Sequence, residues 1–261
     1  MSSRVFAGLA RALTLLVLLG CGAGLSAQVV FEGDFAYTGD NGPAFWITIN
    51  GACSPAPGSG RQSPIDIDHV VHDPRLEPLH VIASPGDATM TNPGYTLIGT
   101  MSSQATLTLE GVTYTLLQFH FHSLAEHTVV GRQGALELHA VYVDPTLQKF
   151  AVIAVLYHEG RPSRFLEKLI APGLPKQTTS PPVVVPKVNI DEAYTDTSSY
   201  YTYAGSLTTP PCSENVRWLI LKKWAEATPH QLKIFRDVLG NDFRPLQERN
   251  GRVIRSSGHR P

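Results

Sequence analysis

The sequence predicts a mostly β (α+β) fold: one domain built on a large, mainly antiparallel sheet, with short helices at its periphery. Three observations predict it. Short β-rich runs separated by turn residues dominate the chain, several alternating apolar and polar side chains with period two. Helical patterning is confined to two short stretches. No shift in composition marks a domain boundary, and no internal repeat is visible.

The runs 79–83, 95–99, 104–109, 112–122, 136–142, 150–157 and 216–221 read as strands. One helix is expected over 163–170. A second is expected over 229–239, with Thr228 as N-cap, Pro229 at its first position and Gly240 as its stop. The loops at 54–60 and 171–187 are long and rich in proline, the latter holding Pro181, Pro182 and Pro186.

Residues 1–27 read as an export signal: Arg4 and Arg11, then the apolar run 13–19, then Leu25-Ser26-Ala27 as a cleavage site. Leu18-Leu19-Gly20-Cys21 offers a second reading, a lipoprotein box in which Cys21 takes the lipid. The apolar run is too short to span a bilayer, and nothing later is long enough. The expected mature domain, 28–261, is therefore periplasmic or secreted, or lipid-anchored through Cys21. Removing the signal takes 2 of the 21 basic residues and leaves 19 against 22 acidic, a net charge of −3. That balance, with no basic run, argues against a nucleic-acid partner. Cys53 and Cys212 remain after export. In an oxidising compartment they read most simply as one disulfide, two buried free thiols being the alternative. Such a bridge would close a loop of about 160 residues, worth about 3 to 5 kcal/mol in the chain-entropy model.

The chemistry sits in the histidines. In a strand, His120 and His122 face one way while Phe119 and Phe121 face the other. His139 follows on a second apolar run, after enough chain to turn and return. Three imidazoles on one face of two strands leave one tetrahedral position open, the ligand count of a catalytic Zn²⁺. Gln118 shares a face with His120, and Glu137 with His139. Polar groups pointing into an apolar interior are costly alone, so both fit as partners for the outward ring nitrogens. Glu126 reads as a general base, an orienting acceptor or a solvated loop charge. His127 is a candidate fourth ligand, disfavoured because it lies on the connecting turn.

Several stretches together resemble the α-class carbonic anhydrases, of the bacterial exported type. QFHFH at 118–122 resembles the family's ligand strand, EHT at 126–128 its gatekeeper turn, and ALELH at 135–139 the strand of the third ligand. SLTTPPCSE at 206–214 resembles the substrate loop, and RQSPIDID at 61–68 and NGPAFW at 41–46 the N-terminal segments. RPLQ at 244–247 and NGR at 250–252 match near the end, so the resemblance covers nearly all of 35–255 in the family's order. It implies one large twisted sheet and zinc-dependent, reversible hydration of CO₂ to bicarbonate and a proton. His120, His122 and His139 would hold Zn²⁺, with water as fourth ligand and its hydroxide as nucleophile, the chemistry for which carbonic anhydrase is itself the reference case. Thr208 would accept the hydroxide's hydrogen bond and donate its own to an ionised Glu126. Thr209 would lie beside bicarbonate, and Tyr37 in an ordered-water network. Val141, Val152, Leu207, Val216 and Trp218 would form an apolar CO₂ pocket. The Cys53–Cys212 pair matches a bridge in secreted members. Sulfonamides and inorganic anions are the inhibitors implied, and the oligomeric state is left open, a homodimer included.

Departures matter as much. Efficient members carry a histidine in an Asn-X-Gly-His stretch that ferries the product proton, and this chain has NPGY at 92–95. Tyr95, with a reference pKa near 10, is a poor relay at neutral pH beside a histidine near 6.5. His69 and His158 are candidate substitutes. Phe35-Ala36-Tyr37 and Phe243 replace tryptophan-containing versions, and 171–188 has no counterpart. Two other functions fit the same fold, a non-catalytic binding domain and a weak zinc esterase. The first typically lacks one or more ligands, all of which this chain keeps.

Overall fold

In the computed structural model the described residues are 35–53, 58 and 60–258. The export segment, Cys21, and all but Gly58 and Gly60 of the expected loop at 54–60 lie outside them. Among the described residues, thirteen strands form one twisted sheet of mixed pairing. Its main path runs Val183–Val188, Gly86–Thr91, Ile98–Met101, Val112–His122, Leu136–Val143, Phe150–Glu159, Val216–Leu221, Tyr200–Gly205, Arg255–Ser256, Val71–His72. Most pairs are antiparallel, as expected, but Phe150–Glu159 pairs with Val216–Leu221 in parallel.

Alternation sorts the central strands into two faces. Phe119, Phe121, Leu138, Ala140, Tyr142, Ile153, Val155 and Leu219 join one core layer, covered by Phe165, Leu166 and Leu169 of the helix Arg164–Ile170 and Leu232 and Phe235 of the helix Pro229–Leu239. Phe121 and Phe235 meet with ring centroids 4.7 Å apart. Burying each such ring contributes roughly 2 kcal/mol. The opposite face carries Val141, Val152, Ala154, Trp218, Ile220 and Tyr203 over Ile65 and Ile67. The functional side chains stand on this second face.

Both helices fall where their signals place them. The Ser163 side chain accepts the Leu166 N–H. Thr228 and Gln231 form a reciprocal capping box, Pro229 opens the first turn, and Gly240 ends the helix at φ +68°.

Two expectations need correction, and the sheet strands Gly86–Thr91 and Tyr200–Gly205 went unread. The strand read over 95–99 is Ile98–Met101: Asn92 Oδ1 accepts the Gly94 N–H at 2.8 Å, extending the turn past Tyr95. Within the loop expected at 171–187 lies an edge strand, Val183–Val188, paired with Gly86–Thr91. Pro186 is tolerated there because an edge strand needs only one set of ladder bonds, and the register shifts between Val185 and Val188. Tyr200–Gly205, unread in the sequence, is a sheet strand between Val216–Leu221 and Arg255–Ser256.

Candidate metal centre

Cross-strand register assembles the site. His120 stands directly opposite His139, and His122 opposite Glu137. The next row runs Gln118, Val141, Val152, Trp218, Tyr203 across five strands. One ring nitrogen from each of His120, His122 and His139 lies within 4.8 Å of the others. All three residues are buried, His120 least so at 9 % exposure.

The outward nitrogens all have acceptors. His120 Nδ1 donates to Gln118 Oε1 at 3.0 Å, His122 Nδ1 to the Asp242 carbonyl at 2.6 Å, and His139 Nε2 to Glu137 Oε1 at 2.7 Å. In the tautomer that satisfies these acceptors, each ring nitrogen facing outward carries the proton and the inward one presents a lone pair. The inward nitrogens of His120 and His139 are 3.3 Å apart, and that of His122 has no hydrogen-bond partner. Burial opposes relieving the crowding by protonating His120 or His122. Burial, then the charges of the neighbouring imidazoles, pushes His120 well below the ordinary histidine range, and burial lowers His122 against the pull of Glu126. Lone pairs facing one another in a buried site are satisfied by a cation, and three imidazoles suit Zn²⁺. The residues fit the metal.

Glu137 holds the arrangement together. Its Oε1 accepts from His139 Nε2 and His127 Nδ1, each at 2.7 Å; its Oε2 accepts the Glu126 and His127 backbone N–H groups at 2.7 and 2.8 Å. Burial alone would raise this carboxyl, but His127 and His139 hold it well below the usual range. The other nitrogen of His127 pairs with the Tyr203 hydroxyl at 2.7 Å, so both its nitrogens are engaged away from the three ligands.

Glu126 is also buried. Its Oε1 accepts the Arg244 N–H at 2.8 Å, and its Oε2, without a hydrogen-bond partner, lies 3.5 Å from His122 Nε2 and 4.0 Å from His139 Nδ1. The bond expected from Thr208 to Glu126 is therefore not formed in the structure. Glu126 Oε2 turns instead toward the imidazole nitrogens, where positive charge belongs. Thr208 is buried in the wall of an adjoining pocket.

That pocket is lined by Gln118, His120, His139, Val141, Phe150, Val152, Leu207, Thr208, Thr209 and Trp218. Val216 is buried in the same apolar layer but is not in the lining; Phe150, directly across from it, lines the pocket instead. Phe150 was missed in the sequence, although its spacing of two from Val152 on one strand places it on the same face.

Tyr95 does not line the pocket. It is half-buried against Phe35, with ring centroids 4.7 Å apart, and burial raises its hydroxyl to about 12. Tyr37 is half-buried nearby, its buried hydroxyl without a hydrogen-bond partner and its ring 6.4 Å from that of His122. His69 and His158 are exposed, and neither lines the pocket. Cys53 and Cys212 form a disulfide, and the Cys212 N–H bonds the Thr209 carbonyl at 2.8 Å. Asp242, also missed, contributes its carbonyl to His122; burial, and then the Glu126 charge, pushes its carboxyl well above the usual range. No sequence signal marks it, because a main-chain acceptor can be any residue.

Among the described residues no helix is long and apolar enough to cross a membrane. Residues 41–258 match the family model of the eukaryotic-type carbonic anhydrases. A carbonic anhydrase from Klebsiella pneumoniae is 33 % identical over 228 residues, covering 86 % of this chain and 92 % of that protein. The solved α-carbonic anhydrase of Photobacterium profundum superposes with a TM-score of 0.79 at 33 % identity, covering 85 % of this chain and all of that one. That of Thermovibrio ammonificans, solved with the inhibitor sulfanilamide, does so with a TM-score of 0.79 at 31 % identity, covering 86 % and 99 %. The chain belongs to the α-class carbonic anhydrases, enzymes that hydrate CO₂.

Proposed function

We propose that this enzyme is zinc-dependent and that His120, His122 and His139 hold the metal through their inward nitrogens. The observation that carries this reading is the set of three outward N–H groups, each bonded to its own acceptor, which leaves three lone pairs facing one point. When bound, Zn²⁺ supplies a Lewis acid that makes water a nucleophile near neutral pH, behaviour for which carbonic anhydrases are the reference case.

The chain's own residues do the rest. CO₂ has no charge and no net dipole, so Val141, Phe150, Val152, Leu207 and Trp218 receive it without asking it to give up hydrogen bonds. Thr208 orients the nucleophile by accepting its hydrogen bond, and Glu126 Oε2, turned toward the imidazoles in this structure, must swing toward Thr208 to accept the hydroxyl's own hydrogen bond. Thr209 lines the side where bicarbonate forms. Gln118 and Glu137 fix the tautomers of His120 and His139. Tyr95, its hydroxyl raised to about 12, keeps its proton at neutral pH, so release of the product proton to buffer limits turnover. Sulfonamides and small anions enter the same pocket. Compartment follows the export segment: the domain works outside the cytoplasm, where its disulfide is stable.

The test is CO₂ hydration by the purified protein before and after zinc is stripped with a chelator. Activity is expected to vanish on removal, to return with Zn²⁺, and to be blocked by sulfanilamide. Undiminished activity in protein verified to be zinc-free would refute the reading.

A further inference from the structure

The three histidines are not equally supported by the sheet. His120 lies inside the ladder, paired with Ile98 on one side and His139 on the other. His139 is likewise flanked, by His120 and Ala154. His122 pairs with Glu137 alone, because the strand Ile98–Met101 begins too late to reach it. In place of a ladder bond, the Thr96 hydroxyl caps the Phe121 carbonyl at 2.6 Å, and at Ser123 the chain leaves the sheet. A ligand at the last pair of a strand, open on one side, needs a substitute for the missing neighbour.

The segment around Asp242 is that substitute. Its N–H donates to the Ser123 carbonyl at 3.2 Å, its Oδ1 accepts the Ser123 N–H at 2.7 Å, and its carbonyl accepts His122 Nδ1 at 2.6 Å. These contacts bridge 119 and 120 residues of sequence. All three residues are nearly fully buried. Two positions on, the Arg244 N–H holds Glu126, and the Arg244 guanidinium is anchored on Gln62, Ser63 and Cys53. The strut is fixed to the body of the protein at one end and to His122 at the other.

We propose that the Asp242 side chain is a positioning residue for the metal centre: by accepting the Ser123 N–H it holds its own carbonyl against His122 and orients that ligand. The inference rests on the zinc reading above. Oδ2 of Asp242 has no hydrogen-bond partner, so the carboxyl acts on the strand end through one acceptor oxygen. An asparagine offers the same acceptor. An alanine does not, and a glutamate moves it by one methylene.

The experiment compares wild type, Asp242→Asn and Asp242→Ala as zinc-loaded proteins. Three quantities are read: zinc release into excess chelator, the visible spectrum of the cobalt-substituted forms, and melting of the metal-free forms. Asp242→Ala is expected to release zinc about 10-fold faster with an altered cobalt spectrum, and Asp242→Asn to stay within about twofold of wild type. A loss of general stability alone would lower the melting point of the metal-free protein without changing the cobalt spectrum. Wild-type release and spectrum in Asp242→Ala, or release from Asp242→Asn as fast as from Asp242→Ala, overturns the proposal. Should Asp242→Ala not fold, Asp242→Glu carries the same expectation as the alanine. A wild-type protein that binds no zinc overturns the zinc reading, and this inference with it.

Discussion

Glu137 and His139 stand two residues apart on one face of a single strand, and Oε1 of the first accepts Nε2–H of the second at 2.7 Å. The same carboxylate takes three more hydrogen bonds, from His127 Nδ1 and two backbone N–H groups. A residue with four bonds and no exposure has little freedom to be anything else.

Glu137→Gln keeps the volume but replaces one acceptor oxygen with a donor that faces N–H groups. The expected cost is about 3 kcal/mol of stability, from buried donors left without acceptors. Urea unfolding of the mutant checks it, and zinc content after dialysis should fall in parallel.

Tyr95→His replaces a group that titrates near 12 with one of ordinary pKa near 6.5. The maximal rate of CO₂ hydration in dilute buffer is expected to rise several-fold, with kcat/KM unchanged, because only proton release is altered. No gain over wild type in dilute buffer would show that proton release is not the limiting step. Loss of the packing against Phe35 should lower stability by about 1 kcal/mol.

The disulfide joins positions 159 apart in sequence and ends beside the loop that carries Thr208 and Thr209. Replacing both cysteines with alanine is expected to cost about 3 to 5 kcal/mol through the freed denatured chain. It should also weaken sulfanilamide binding, since the bridge anchors the stretch whose Cys212 N–H holds the Thr209 carbonyl. Calorimetric titration with the inhibitor at a temperature where the variant is folded separates the two effects.

Away from the site, Arg161 holds Glu226 through its side chain and backbone N–H, lowering the carboxyl to about 2 from an ordinary 4.5. A depressed carboxylate pKa contributes stability that is complete above the unfolded value and drains away as pH falls through the folded one. The stability difference between wild type and Glu226→Gln should therefore be constant above about pH 5 and shrink between about 4.5 and 2. The pair is exposed, so added salt should shrink it as well.

Much of the centre was legible in the sequence because it depends on strand periodicity. Spacing of two places His120 with His122, Gln118 with His120 and Glu137 with His139, and the structure brings these side chains to one face. The helix signals at Thr228 and Gly240 are likewise local, and they coincide with the observed ends. What could not be read was long-range. The Asp242 carbonyl, the choice of Phe150 over Val216 and the direction of Glu126 Oε2 all depend on which distant segment arrives where. Edge strands escaped for a different reason. Val183–Val188 carries Pro186 and follows Pro181-Pro182, which together read as loop, and only its pairing partner reveals it.

The proline in that edge strand has a consequence for how copies of this molecule meet. An open sheet ends in two margins of unpaired peptide groups, and such margins template fibrous association. Here one end of the main path is broken by Pro186, which offers no N–H, and by the slip beside it; the other is the two-residue strand Val71–His72, and the side branches end in the short strands His80–Ala83 and Ala225–Ala227. None gives an incoming chain more than four residues of unbroken edge to zip against. A wide sheet can thus be carried at high concentration without polymerising along its own edges.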